Sequence, residues 1–330
     1  MPNRLERMIV RPAPPNAATG VVLGAMIALA ACSPAVPGAA TNATQSIVAR
    51  LPDGRKLDFR CSGRGAPTVV FENGWGAHAD EWDGVRASIA SSRGACAYDR
   101  AGYGASTPGP DPRDAAAIVS DLHAGLRAAR IQGPYILVGH SAGGLYVRLF
   151  AARFPRDVVG LVLVDPSVEH QDARIAAVFG PGAGSVERLQ QRATTCLAAA
   201  REGRLPSTDP TLAVCTPKGS KAASGSFAGE WDAQSSELDT LFTTSSDEVQ
   251  REAGNLGDLP LIVLTAAGST SEPNPGLAVW AELHREVAAT SRRGSARLVE
   301  HSTHLMMFQR PDAIVGAIND LAAAAPVSKP

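Results

Sequence analysis

The chain reads as an α/β protein built on a mostly parallel eight-stranded sheet with helices packed against it. Three observations predict this. Short unbroken apolar runs recur, among them Thr68-Val69-Val70-Phe71, Ile136-Leu137-Val138 and Val158 to Val164; such runs belong to strands covered on both faces. They alternate with segments of helical periodicity, the pattern of parallel-sheet proteins. Gly139-His140-Ser141-Ala142-Gly143 lies between one apolar run and one helical segment, which is the spacing of a sharp strand-to-helix turn with a serine at its apex.

The elements follow in order. Ile47 to Leu51 and Lys56 to Cys61, joined by Pro52-Asp53-Gly54, form a hairpin. Thr68 to Phe71 is the third strand, and the turn Asn73-Gly74-Trp75-Gly76 follows it. Ala95 to Tyr98 is the fourth, running into Asp99-Arg100-Ala101-Gly102-Tyr103-Gly104-Ala105-Ser106. That run reads as a structural loop, fixed by Asp99 and Arg100, whose glycines take dihedrals other residues avoid. Asp114 to Arg130 is a helix with Ile118, Leu122, Leu126 and Ala129 as its buried stripe; His123 beside it reads as a surface histidine. Pro134 to Val138 is the fifth strand. A side chain at Gly139 or Gly143 would collide with the neighbouring strand or helix. Leu145, Leu149 and Ala152 have helical spacing, and Pro155 ends that helix. Val158 to Val164 ends in Asp165, a carboxylate at the functional edge of the sheet. From there to about Leu256 the alternation breaks into a mostly helical insert. Within it Phe179, Phe227, Trp231, Leu241 and Phe242 are candidates both to line a pocket and to pack the insert's own core. Leu259 to Thr265, a helix from Pro275 to Ala289, and Ala296 to Glu300 complete the sheet. His301-Ser302-Thr303-His304-Leu305 follows, and Pro311 opens a closing helix.

Near-neutral charge, -1 over 330 residues, carries no footprint for nucleic acid. The N-terminus differs from the rest. Arg4, Arg7 and Arg11 precede the apolar run Gly20 to Ala31, too short to span a bilayer but suited to a signal-peptide core. Its end, Leu29-Ala30-Ala31-Cys32, resembles the lipobox of bacterial lipoproteins, which implies removal of 1–31 and lipidation of Cys32. Ser33, where an aspartate would imply inner-membrane retention, points to the outer membrane and its periplasmic face. The alternative is an ordinary secretory signal cut near Ala31 or Ala40. Residues 32–45 read as a flexible tether.

On the Gly-x-Ser-x-Gly turn, the Asp-Arg-x-Gly-x-Gly-x-Ser run and the His304 loop, the chain resembles the α/β-hydrolase superfamily from about Ser46 to about Ala324. The resemblance implies a core of residues 46–167 and 257–324, a lid of 168–256 inserted after the sixth strand, and a tail of 325–330. It implies Ser141 as nucleophile, His304 as base, and the backbone N–H groups of Trp75 and Ala142 as the oxyanion hole; His301 is close enough to compete with His304. The acid is open between Asp165, a position some lipases and related hydrolases use, and Glu272, in the loop where most members carry an aspartate. The superfamily's sheet order makes the second and fourth strands antiparallel neighbours, which pairs Cys61 with Cys96 and leaves Cys196 for Cys215; free thiols are the alternative. No cysteine pair has zinc-site spacing, there is no His-Glu-x-x-His, and neither cofactor nor metal is expected. The implied activity is hydrolysis of a small-molecule carboxylic ester through an acyl-enzyme. The alternatives are an amide or small-peptide hydrolase and a non-catalytic surface binding protein that keeps the fold. Lipid at Cys32 is the expected membrane contact. Oligomeric state is not legible.

Overall fold

A computed structural model describes residues 43–183, 186–216, 227–268 and 275–324. The leader, Cys32, most of the tether, Glu272 and the tail lie outside the described residues. Eight strands form one sheet: β1 (Gln45–Arg50), β2 (Lys56–Ser62), β3 (Thr68–Glu72), β4 (Ala95–Asp99), β5 (Tyr135–His140), β6 (Val158–Val164), β7 (Leu261–Ala266) and β8 (Gly294–Val299), in the order β1-β2-β4-β3-β5-β6-β7-β8. From β4 to β8 the pairing is parallel; β2 pairs antiparallel with both β1 and β4. Every residue of β3, β4 and β5 is buried, as unbroken apolar runs require. β7 starts two residues later than expected because Pro260 cannot donate to the ladder.

Period-two alternation divides the core. Val70, Leu137, Leu161 and Val263 face one layer, made by α2 (Ala115–Ala128), α3 (Ala142–Arg153) and α9 (Pro275–Ala289). Phe71, Val138, Val162 and Leu264 face the other, made by α1 (Asp83–Ile89) and α11 (Pro311–Ala324), with the short α10 (Met306–Gln309) beside it. The disulfides join Cys61 to Cys96, directly opposite in the β2–β4 register, and Cys196 to Cys215.

The insert between β6 and β7 holds α4 (Gln171–Phe179), α5 (Val186–Arg201), α6 (Pro210–Ala213), α7 (Phe227–Leu241) and α8 (Thr244–Ala253). Buried polar bonds hold its second half to the core. The first N–H groups of α2 lack intrahelical partners. Ala115 donates to Ser245 Oγ (2.9 Å) and Ala116 to Glu248 Oε2 (2.9 Å), both on α8, while Ala117 donates to the N-cap Asp114 (2.9 Å). The strongest tie is Arg100, 1% exposed. Its Nε and Nη2 hold Glu237 of α7 (2.9 and 3.0 Å), and its Nη1 holds Glu72 of β3 (2.9 Å). Nη1 and Nη2 also donate to the carbonyls of Asn73 and Gly74 (both 2.8 Å). All five guanidinium donors are therefore used.

His140, the last residue of β5, is 3% exposed and donates from Nε2 to the carbonyl of His304 (2.8 Å). Burial and the nearby His304 pull its pKa down to about 3, so it stays neutral.

Two predictions follow from this packing. Replacing Arg100 with Leu strands two buried carboxylates and should cost about 3–5 kcal/mol, read as a lower urea midpoint; a loss under about 1 kcal/mol would show that Arg100 does not tie α7 to the core. His140 binds its proton far more weakly folded than unfolded, so its contribution is lost as pH falls below the unfolded value of about 6.5. His284, also lowered by burial, acts in the same direction; His78, raised by Glu230 against its burial, acts oppositely. Between pH 6.5 and 5 the unfolding free energy of His140→Gln should therefore fall less steeply than that of the parent, by about 1.1 kcal/mol per pH unit on average. Parallel curves would contradict the assignment.

Candidate active site

The strand-to-helix turn sets Ser141 at φ 52°, ψ -123° between β5 and α3. For a residue with a side chain this backbone costs about 1–3 kcal/mol and persists only where its surroundings hold it. They do. Ser141 N–H donates to Val164 (3.2 Å), and its carbonyl accepts from Gly144 (2.9 Å) and Ser167 (2.9 Å). A Cβ on Gly139 would lie 2.5 Å from the Gly143 carbonyl, and one on Gly143 2.6 Å from that of Glu72. Both flanking positions therefore admit only glycine.

Asp165 ends the adjacent strand, also at positive φ (44°). Its Oδ1 accepts from Ala266 N–H (3.0 Å), and its Oδ2 lies 2.8 Å from His304 Nδ1. Burial alone would raise its pKa; the His304 bond and charge and the Ala266 N–H outweigh that and hold it below the ordinary carboxylate value. An ionised Asp165 accepts a hydrogen bond from the Nδ1–H of His304, which fixes the tautomer whose Nε2 carries a free lone pair. His284 braces the same turn by donating from Nε2 to the Pro166 carbonyl (3.0 Å) while Thr265 donates to its Nδ1 (2.8 Å). The His304 loop is held through its carbonyl by His140, and Gln309 Oε1 accepts from the Thr303 N–H (2.6 Å) and hydroxyl (2.9 Å).

Ser141, Asp165 and His304 line one cavity of about 780 Å³. Among the described residues no hydrogen bond joins the Ser141 hydroxyl to the His304 ring; such bonds are often long in ligand-free sites. His301 is exposed, at φ 56°, and lies outside the cavity. Asp99 accepts from Ala79 N–H (2.9 Å) and its carbonyl from Ser106 (2.6 Å), a loop-fixing role as expected. Asn73 donates from Nδ2 to the Tyr98 carbonyl (2.7 Å).

Gly74 and Trp75 form the wall beside Ser141. Because Arg100 takes the Gly74 carbonyl, the N–H of Trp75 on the same trans peptide points the opposite way. Among the described residues neither this N–H nor that of Ala142 donates to another protein group. Trp75 also anchors the insert, donating from its ring to the Gln234 carbonyl (2.7 Å).

Of the five insert residues expected as lining, Trp231, Leu241 and Phe242 reach the cavity. Phe179 is 46% exposed on the outside of α4, and Phe227 packs against the core instead. Sequence reading missed Leu189, Arg192 and Trp280, which also line it. The spacing of Leu189 and Arg192, one helical turn apart, was the available signal. Among the described residues no group of three or more His, Cys, Asp or Glu could hold a metal ion. No helix among them is long and apolar enough to cross a membrane.

Comparison with known proteins bears on this geometry. The protein YqjL of Bacillus subtilis strain 168 is 26% identical over 263 residues, 80% of this chain and 86% of YqjL. The bifunctional esterase/perhydrolase DCH of Acinetobacter calcoaceticus is 33% identical over 106 residues, 32% of this chain and 38% of DCH. A solved thermophilic esterase from Thermogutta terrifontis superposes with a TM-score of 0.56 at 18% identity, covering 86% of this chain and 98% of that one, a likeness of fold. A family model described as alpha/beta hydrolase family matches residues 69–317. With most of the sheet, the serine turn and the His304 loop inside that match, the chain belongs to the alpha/beta hydrolase family.

Proposed function

We propose that this protein hydrolyses carboxylic esters through an acyl-enzyme on Ser141. One observation carries the reading: the 2.8 Å contact of His304 Nδ1 with Asp165, in the cavity that Ser141 also lines. A serine hydroxyl is a weak nucleophile until a base takes its proton, and the base needs a carboxylate to hold its tautomer. Ser141 Oγ attacks the acyl carbon while His304 Nε2 accepts its proton. The N–H groups of Trp75 and Ala142 take up the charge on the carbonyl oxygen, the Trp75 donor being aimed by Arg100. His304 then protonates the departing alkoxide. Water, deprotonated by the same nitrogen, attacks the acyl-enzyme and releases the acid and Ser141. Asp165 is preferred to Glu272 as the acid because it already holds the ring. The esterase activity in DCH's name supports ester over amide as the substrate. The helical insert, 168–256, acts as a lid that shapes the pocket.

We further propose that the chain is exported and anchored by lipid at Cys32. Two disulfides support an oxidising compartment.

A fluorophosphonate probe should label the protein at Ser141, located by peptide mass, and Ser141→Ala should abolish both label and turnover of p-nitrophenyl butyrate. A parent protein that resists the probe and leaves the ester intact would instead be a binding protein on this fold. Asp165→Asn should lower kcat by about 10²–10⁴ with the fold intact; full activity in that variant would move the acid elsewhere. For the anchor, intact mass of detergent-extracted protein should show loss of residues 1–31 and added acyl chains, and an unmodified Cys32 would exclude it.

A further inference from the structure

The charges around the cavity are unevenly placed. Two carboxylates line it, Glu81 and Asp165, the second in contact with His304. One cation lines it from the insert: Arg192, on α5. Exposed at the mouth, Arg192 still loses enough water to fall below the ordinary arginine pKa, and no carboxylate opposes that shift. Among the described residues it forms one hydrogen bond, from Nη2 to the Val214 carbonyl (2.9 Å). The other donors of its planar fork have no protein acceptor there.

Its position is built rather than incidental. Arg192 stands one helical turn before Cys196, on the same face of α5. Cys196 is bonded to Cys215, whose carbonyl accepts from the ring of Trp231 (2.8 Å). The Arg192 guanidinium carbon lies 5.9 Å from the centre of that same ring. Disulfide, tryptophan and Val214 carbonyl thus hold one cation on the part of the cavity wall that the insert supplies.

We infer that the substrate is an ester bearing a carboxylate, which Arg192 holds while the ester carbonyl lies at Ser141. A planar fork of N–H donors matches the two oxygens of a carboxylate. The field of the cavity gives the direction: an anion is repelled from Glu81 and Asp165 and drawn toward α5, which sets the uncharged carbonyl beside the serine. This rests on the serine-hydrolase reading above.

The test compares kcat/KM within two matched pairs. One is p-nitrophenyl hexanoate against the p-nitrophenyl monoester of adipic acid, with the carboxylate on the acyl half. The other is phenyl hexanoate against the hexanoate ester of 4-hydroxybenzoate, with the carboxylate on the alcohol half. The parent should prefer the charged member in at least one pair. Arg192→Met should lower that charged-to-neutral ratio about tenfold, the scale of a lost charge-assisted hydrogen bond, and Arg192→Lys should keep part of it. No preference in the parent, or an unchanged ratio in Arg192→Met, overturns the inference. If no ester is turned over at all, the hydrolase reading fails separately. Calorimetric binding of monomethyl adipate then decides the inference: about tenfold weaker binding by Arg192→Met supports it, and equal affinity, or none in the parent, overturns it.

Discussion

A guanidinium taken out of water must find an acceptor for each of its five N–H groups or leave a donor stranded at a cost of a kilocalorie or more. Arg100 meets that demand with acceptors from two separate parts of the chain: the run Glu72-Asn73-Gly74 at the end of β3 and in the turn after it, and Glu237 on α7 of the insert. The arrangement is demanding because two glutamates, both fully buried, share one cation. Burial pushes the Glu72 carboxyl above its ordinary pKa even beside Arg100. Tyr98 donates to Glu72, and Tyr103 donates to Glu237 (2.9 Å), which spreads the negative charge over more donors. A hydrophobic replacement of the whole cluster could be as stable. What it would lose is direction, because the same guanidinium fixes the carbonyls of Asn73 and Gly74 and, through them, the Trp75 N–H.

Strain is concentrated at the same edge of the sheet. Ser141 and Asp165 end neighbouring parallel strands, and both have positive φ. Neither conformation is favourable for a residue with a Cβ. Each is held by the next strand along: Ser141 N–H by Val164 of β6, and Asp165 N–H by Leu264 of β7 (2.8 Å). The Asp165 side chain then returns a bond to β7 at Ala266. A parallel sheet can impose such turns because its strand ends are fixed by ladders on both sides. A free loop could not hold a hydroxyl and a carboxylate at so constant a separation.

Legibility in the sequence followed the range of the interactions. The serine turn was readable because steric exclusion at Gly139 and Gly143 acts within a few residues. Asp165 and the pairing of Cys61 with Cys96 were readable once strand ends and strand order were assumed, since register does the rest. Arg100 was recognised as fixing a loop, but its link to Glu237 was not, because that partner lies 137 residues away. Glu237 stands in the polar stretch Gln234-Ser235-Ser236-Glu237, which reads as a solvated helix face; charged residues are seldom fully buried without a partner, and the partner is invisible locally. Phe179 failed in the opposite sense. It is apolar and was expected inside, yet α4 turns it outward. Single apolar residues on a surface are common, so composition alone cannot place them.

These contacts divide the insert by task. Its second half, α7 and α8, is bound to the core by buried ions and by the caps it supplies to α2, so that altering it disturbs the turn beside Ser141. Its first half touches the site differently. α5 is linked by the Cys196–Cys215 disulfide to the turn that follows α6, and that turn to α7 through the Trp231 ring and the Cys215 carbonyl. α5, α6 and that turn contribute Leu189, Arg192, Ala213 and Val214 to the cavity but none of the bonds that orient Ser141, Asp165 or His304. Side chains on α5 and α6 can therefore change what the cavity admits while the reacting groups keep their geometry. That separation is physical: one half is held by buried charge that must be satisfied as a whole, the other by a covalent staple whose outward side chains are free to vary.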